Sequence, residues 1–212
     1  MMDEELLKYC EDHSGSEDKL LQLIKRQTHL KVLKPRMLSG HLQGKMLEMF
    51  VKMTSGINVL EIGTFTGYAS IFLARGLAPE GKLTTIDVNE ELEEMVRGFF
   101  KQSGLNDKID YTIGNALEVI PNLTAPLDFV FIDADKQNYV NYFDLVVDKM
   151  RPGGLILADN ILWSGKVLEK NRKKLDKNTA AILAYNEKVN KDPRVENVIL
   201  PIRDGIMLAR KL

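Results

Sequence analysis

The sequence predicts an α/β fold: a seven-stranded, mostly parallel sheet with helices on both faces, ending in a C-terminal antiparallel hairpin. Three observations predict it. Apolar runs alternate with helical stretches after about residue 53, the rhythm of a parallel sheet with covered faces. The first run, Val59–Ile62, breaks at Gly63 and flows into Ala69-Ser70-Ile71-Phe72-Leu73-Ala74, which reads as strand, tight turn and helix. The last two runs are separated only by Ile202-Arg203-Asp204, a short connection that suggests a hairpin.

Residues 3 to about 53 read as helices broken near Gly15 and at Lys34-Pro35-Arg36. Leu20, Leu23, Ile24 and Gln27 have helical spacing, as do Met46, Leu47, Phe50 and Val51. The expected strands are Asn58–Ile62, Lys82–Asp87, Ile109–Ile113, Leu127–Asp133, Gly154–Asp159, Val195–Pro201 and Gly205–Lys211. Helices are expected at Glu90–Ser103 and Tyr139–Met150. With 212 residues and no internal repeat, one domain is expected over 1–212, a helical segment 1–53 preceding a core 54–212.

Composition narrows the function. Lys+Arg 29 against Asp+Glu 30 gives a net charge of -1, so no global basic field attracts nucleic acid. The single Cys10 excludes an internal disulfide framework and suits a reducing compartment. The acidic start Met1-Met2-Asp3-Glu4-Glu5 is no signal peptide, and no run of roughly 20 apolar residues appears, so a cytoplasmic protein without a membrane partner is expected.

Ligands of an open α/β sheet bind beyond the carboxyl ends of its strands, and the chemistry-bearing residues fall there. Gly63 and Gly67 do not have the spacing of a dinucleotide-binding loop; with Glu61 they resemble motif I of the S-adenosylmethionine-dependent methyltransferases. Asp87 closes the second expected strand, where a carboxylate can accept from both hydroxyls of a ribose. Gly114-Asn115-Ala116 follows the third, and a small residue there leaves room for a base. Asp133-Ala134-Asp135-Lys136 follows the fourth and Asp159-Asn160 ends the fifth. Asp133, Asp159 and Asn160 form an all-oxygen set suited to Mg²⁺ or Ca²⁺ and poor for zinc, and His13, His29 and His41 lie elsewhere in the chain.

From about Leu38 to the C-terminus the chain resembles the cation-dependent O-methyltransferases, the family of catechol and caffeoyl-coenzyme A O-methyltransferases, whose fold is the Rossmann-like class I methyltransferase fold. The resemblance rests on Leu60-Glu61-Ile62-Gly63 with Thr66-Gly67-Tyr68, on Asp133-Ala134-Asp135-Lys136 with Asn138-Tyr139, and on Asp159-Asn160 with Trp163. Asp192-Pro193-Arg194, Leu200-Pro201 and Asp204-Gly205 complete it. It implies that Asp133, Asp159 and Asn160 bind Mg²⁺, or Ca²⁺ or Mn²⁺ in its place, and that Lys136 is the general base. It also implies S-adenosylmethionine contacts at Ser39, Glu61, Gly63, Thr64, Asp87 and Ala116, with Asp133 or Asp135 near the cofactor's amino-acid end. Ala69 occupies a cofactor position where many relatives carry serine, so that contact must come from backbone or another group. The segment before Leu38 matches the plant enzymes poorly, and coenzyme A recognition does not carry over.

The implied acceptor is a small aromatic vicinal diol, and a homodimer is implied by the relatives. Trp163 reads equally as an aromatic wall for the acceptor and as core packing. Ser164–Lys177, with Lys166, Lys170, Arg172, Lys173, Lys174 and Lys177 against Glu169 and Asp176, reads as a solvated face; the sharper reading is a loop favouring an anionic acceptor. Pro35-Arg36-Met37 reads as an interhelical turn. The alternative function is a tRNA 5-hydroxyuridine O-methyltransferase of the same family, and the alternative class is a cofactor-binding regulatory protein without catalysis.

Overall fold

The structure is a computed structural model that describes residues 4–168, 170 and 175–212. Among them, β1 (Asn58–Ile62), β2 (Lys82–Asp87), β3 (Ile109–Ile113), β4 (Leu127–Ile132), β5 (Met150–Asp159), β6 (Val195–Leu200) and β7 (Ile206–Lys211) form one sheet. Its order is β3-β2-β1-β4-β5-β7-β6, with β7 antiparallel to both of its neighbours and the other pairs parallel. The helices are α1 (Glu4–Asp12), α2 (Lys19–Lys31), α3 (His41–Met53), α4 (Tyr68–Gly76), α5 (Glu93–Ser103), α6 (Ala116–Val119), α7 (Tyr139–Val147) and α8 (Lys177–Lys191). None is long and apolar enough to cross a membrane.

The unbroken apolar strands are explained by burial on both faces, with alternate residues serving opposite sides. Leu60, Ile62, Val130, Ile132, Ile156 and Ala158 pack with Phe143, Val146, Ile182 and Tyr185 of α7 and α8. Their neighbours Val59, Phe129, Phe131 and Leu157 pack with Ile24, Leu47, Phe72 and Phe100 of α2 to α5. Glu61 lies between Leu60 and Ile62 and shares the second face, which brings its carboxyl against α4.

Several boundaries differ from the sequence reading. β5 begins at Met150 rather than Gly154, because Met150 pairs with Leu127 and the register shifts through Arg151-Pro152-Gly153-Gly154. The same pairing ends α7 at Val147 instead of Met150. β4 stops at Ile132, β6 stops at Leu200 and β7 starts at Ile206, one residue inside each expectation. The α2 stripe is centred one residue later, with Leu21, Ile24 and Thr28 buried and Leu20, Leu23 and Gln27 partly so.

Candidate active site

Sheet register builds the site. Ile62 pairs with Ile86 and Ile132, and Ile132 pairs with Ala158. The next residue of each strand therefore falls in one row along the carboxyl edge: Asp87, Gly63, Asp133 and Asp159. These line a cleft of about 1840 Å³ whose other wall includes Leu38, Ser39 and Gln43.

Gly63 adopts φ +102°, and a Cβ there would run into the Asp133 carbonyl, so only glycine lets the ends of β1 and β4 approach this closely. Beneath this turn Glu61 is fully buried. Its Oε2 accepts from the Thr85 hydroxyl at 2.6 Å and from Ser70, while Oε1 has no partner. Burial raises its pKa to about 8, reinforced by the charges of Asp133 and Asp87. Thr64 continues the chain of hydroxyls, 2.6 Å from Thr85. Glu61 thus lies under the cleft and not on its wall, a placement the strand pattern alone did not give.

Asp87 is committed to the turn around it. Its Oδ2 accepts from Phe65 N–H at 2.7 Å and its Oδ1 from Asn89 N–H at 2.9 Å. Each oxygen keeps lone-pair capacity toward the cleft. Ala69 is buried in the first turn of α4 and lines the cleft, whereas the neighbouring Ser70 hydroxyl turns to Glu61. Ala116 opens α6 on the same wall, with Asn115 capping the helix through Leu117 N–H.

The β4 and β5 ends carry the opposite chemistry. Asp133 lies 3.3 Å from Lys136 Nζ, and Lys136, only 9% exposed, also donates to the Tyr139 hydroxyl. The ammonium sits 4.5 Å from the Tyr139 ring centre. Tyr139 in turn has the carbonyls of Asp159 at 3.1 Å and Ile132 at 3.3 Å within reach of its hydroxyl, and burial pushes its pKa well above the ordinary value. Asp133 is raised to about 6, first by burial and then by the charge of Asp159, against the pull of Lys136. Asp159 is itself buried and accepts from Asn160 N–H at 2.7 Å and from Gln43 Nε2 at 2.8 Å. Asn160 reaches this position at φ +61°. Asp135 is exposed on the rim and accepts from Tyr142 at 2.5 Å and Asn138 at 2.6 Å.

Residues 11–212 match the O-methyltransferase family. The chain belongs to that family. The methyltransferase is 36% identical over 179 residues to caffeoyl-CoA O-methyltransferase 1 of Eucalyptus globulus, covering 80% of this chain and 73% of that protein. It is also 36% identical over 180 residues to caffeoyl-CoA O-methyltransferase 1 of Arabidopsis thaliana, covering 80% and 70%. Among solved structures, the O-methyltransferase from Bacillus cereus in complex with SAH superposes with a TM-score of 0.87 at 29% identity over 98% of this chain and 97% of that one. TomG of Streptomyces achromogenes, solved with SAM, gives 0.89 at 28% identity over 100% and 99%. Family and fold together make this chain an S-adenosylmethionine-dependent O-methyltransferase.

The remaining sequence candidates fall around the same cleft of the methyltransferase. Ser39 lines it, and the Ser39 carbonyl accepts from Arg203. Trp163 packs against the α7 and α8 core and also lines the cleft. Its buried Nε1 has no partner. Arg36 and Met37, in the expected interhelical turn, border the cleft as well. Lys166, Lys170 and Lys177 are exposed, in keeping with a solvated face, and Lys166 pairs with Asp176 at 3.2 Å. Glu169, Arg172, Lys173 and Lys174 lie outside the described residues. Sequence reasoning missed Gln43, Arg203, Tyr139 and Tyr142 as site residues. Tyr139 was legible only inside the family motif, and Gln43 sits 116 residues from the aspartate it touches.

Proposed function

We propose that the enzyme transfers a methyl group from S-adenosylmethionine to one oxygen of an aromatic vicinal diol, with a divalent cation held by Asp133, Asp159 and Asn160. The observation that carries this reading is the pairing of Asp133 with Asp159: two neighbouring carboxylates, with Asp133 lifted to about 6 by burial first and by the charge of Asp159 second, and one lysine in direct contact. Such a pair fits a hard cation, which would take up the excess negative charge through oxygen donors. The cation, when bound, supplies a Lewis acid that orients and polarises the two diol oxygens. S-adenosylmethionine, when bound, supplies an electrophilic methyl carbon.

The chain's own residues do the rest. Ser39, Gly63, Thr64, Ala69, Asp87 and Ala116 form the cofactor's side of the cleft. Asp87 retains acceptor capacity for ribose hydroxyls, and the first N–H groups of α4, beside Ala69, would hold the cofactor's carboxylate in place of a serine. Glu61 acts from below by fixing Thr85 and Ser70. Lys136 Nζ, held by Asp133 and Tyr139, is the general base: its free-amine form takes the proton of the reacting hydroxyl and becomes the ammonium. Asp135 and Trp163 line the cleft, where Asp135 would border the cofactor's amino-acid end and Trp163 would wall the acceptor ring. The cleft has room for donor and acceptor at once, and holding them aligned contributes up to roughly 7–11 kcal/mol of the rate enhancement. The family resemblance further implies a homodimer, and the single Cys10 suits a reducing cytoplasm.

The test is transfer of labelled methyl from S-adenosylmethionine to 3,4-dihydroxybenzoate and to tRNA, with Mg²⁺ or with EDTA, alongside Asp159→Ala. Metal-dependent methylation of the catechol, lost in the variant, is expected. Label on tRNA alone would replace the acceptor assignment with hydroxyuridine. Activity indifferent to EDTA would sink the cation.

A further inference from the structure

We propose that Gln43 and Arg203 form a relay that fixes Asp159 as a cation ligand, so that Gln43 is a positioning residue for the metal and not merely part of the α3 packing. The inference rests on the cation site proposed above. Gln43 is 1% exposed, deep for a glutamine, and both ends of its amide are engaged. Its Nε2 donates to Asp159 Oδ2 at 2.8 Å, and its Oε1 accepts from Arg203 Nη1 at 3.1 Å.

The amide orientation follows from chemistry. A guanidinium has no acceptor and a carboxylate no donor, so the oxygen must face Arg203 and the NH₂ must face Asp159. Arg203 therefore dictates which end of Gln43 meets the ligand. On the other oxygen, Asn160 N–H donates to Asp159 Oδ1 at 2.7 Å. Each carboxylate oxygen then has one protein donor, and the torsions of Asp159 are locked with lone pairs left over. An amide suits this place: glutamate would add a negative charge beside Asp159, and lysine would neutralise the ligand.

Arg203 is anchored independently. It donates to the Ser39 carbonyl and, through Nη2, to the Leu38 carbonyl at 3.1 Å. The next residues of the same hairpin tip hold the loop after Asp159, with Ile161 N–H on the Gly205 carbonyl at 3.1 Å and Leu162 N–H on the Asp204 carbonyl at 2.9 Å. The β6–β7 tip thus closes a ring of hydrogen bonds: from Asp159 through its loop to the tip, across Arg203 to Gln43, and back to Asp159. Groups that orient metal ligands in this way are commonly worth 10–100-fold in metal affinity.

The test is calorimetric titration of the full chain with Mn²⁺, with SAH titrated in parallel. Gln43→Met is expected to weaken Mn²⁺ binding by about 10–100-fold while SAH affinity holds within about twofold. Arg203→Met should weaken Mn²⁺ in the wild-type background and add nothing to Gln43→Met, the non-additivity of one shared relay. Should Gln43→Met fail to fold, Arg203→Met still carries the test. Wild-type Mn²⁺ affinity in a folded Gln43→Met protein, or additive losses in the double variant, would overturn the relay. A wild-type protein that binds SAH but no Mn²⁺ would instead overturn the cation site on which it rests.

Discussion

The two corners of the cleft both bury acid, and they treat it differently. Where β1 and β2 end, Glu61 and Asp87 are tied to the protein itself: Glu61 to two hydroxyls, Asp87 to two backbone amides. Burial leaves Glu61 neutral at pH 7, with a pKa of about 8. Where β4 and β5 end, Asp133 and Asp159 lie beside each other with Lys136 as the neighbouring cation. The first corner is a scaffold whose buried glutamate is neutral at pH 7, and it shapes a turn around a ligand. The second sets two neighbouring carboxylates against one directly paired cation, Lys136, and leaves carboxylate oxygens that a metal ion and an ionising acceptor would use.

The largest effect should come from removing the lysine of the second corner. Lys136→Met is expected to lower kcat by about 10²–10⁴-fold, the range for loss of a general acid–base group, with KM for S-adenosylmethionine little changed. A variant within threefold of wild type would reduce Lys136 to a tether for Asp133 and Tyr139, and the corners would then differ in charge but not in catalysis.

Next in size is the contact joining the two corners. Gly63→Ala forces a side chain onto the Asp133 carbonyl at a positive φ. Backbone strain and overpacking each cost about 1–3 kcal/mol, so a loss of roughly 3 kcal/mol in urea unfolding is expected. Unchanged stability would mean that the strand ends separate freely, and that cofactor and cation corners need not move together.

Much of this was legible in the sequence because the strands advertise themselves. Val59–Ile62, apolar but for Glu61, and Phe129–Ile132, apolar on both faces, stop at glycine or aspartate, so their carboxyl ends and the acids there could be read directly. What stayed hidden depends on distant pairing. Arg151-Pro152-Gly153-Gly154 reads as a turn, yet Met150 pairs with Leu127 and extends β5 across it. Gln43 looks like an ordinary polar residue of an amphipathic helix, and Arg203 like a turn residue; only the folded sheet brings both to Asp159. The depth of Glu61 was equally invisible, since alternation assigns a face and does not say what covers it.

The smallest expected effect separates the corners by their response to pH and cation. Asp133 is shifted from its ordinary 3.8 to about 6, and Glu61 from 4.5 to about 8. Both are acids whose folded pKa is raised, so each contributes stability fully present below its unfolded pKa and lost as pH rises through the folded value. In the metal-free protein the Asp133 contribution is lost between about pH 4 and 6 and that of Glu61 between about pH 4.5 and 8. Mg²⁺ should offset only the first loss. At ten times its dissociation constant it stabilises by about 1.4 kcal/mol, or roughly 4 °C in Tm, at pH 7. At pH 5, where Asp133 is mostly protonated, the shift should shrink toward zero. Glu61→Gln should flatten the fall in Tm between about pH 6 and 8 and leave the Mg²⁺ shift in place. Thermal scans at three pH values check all of this, and an equal Mg²⁺ shift at pH 5 and pH 7 would show that the cation does not read the ionisation of Asp133.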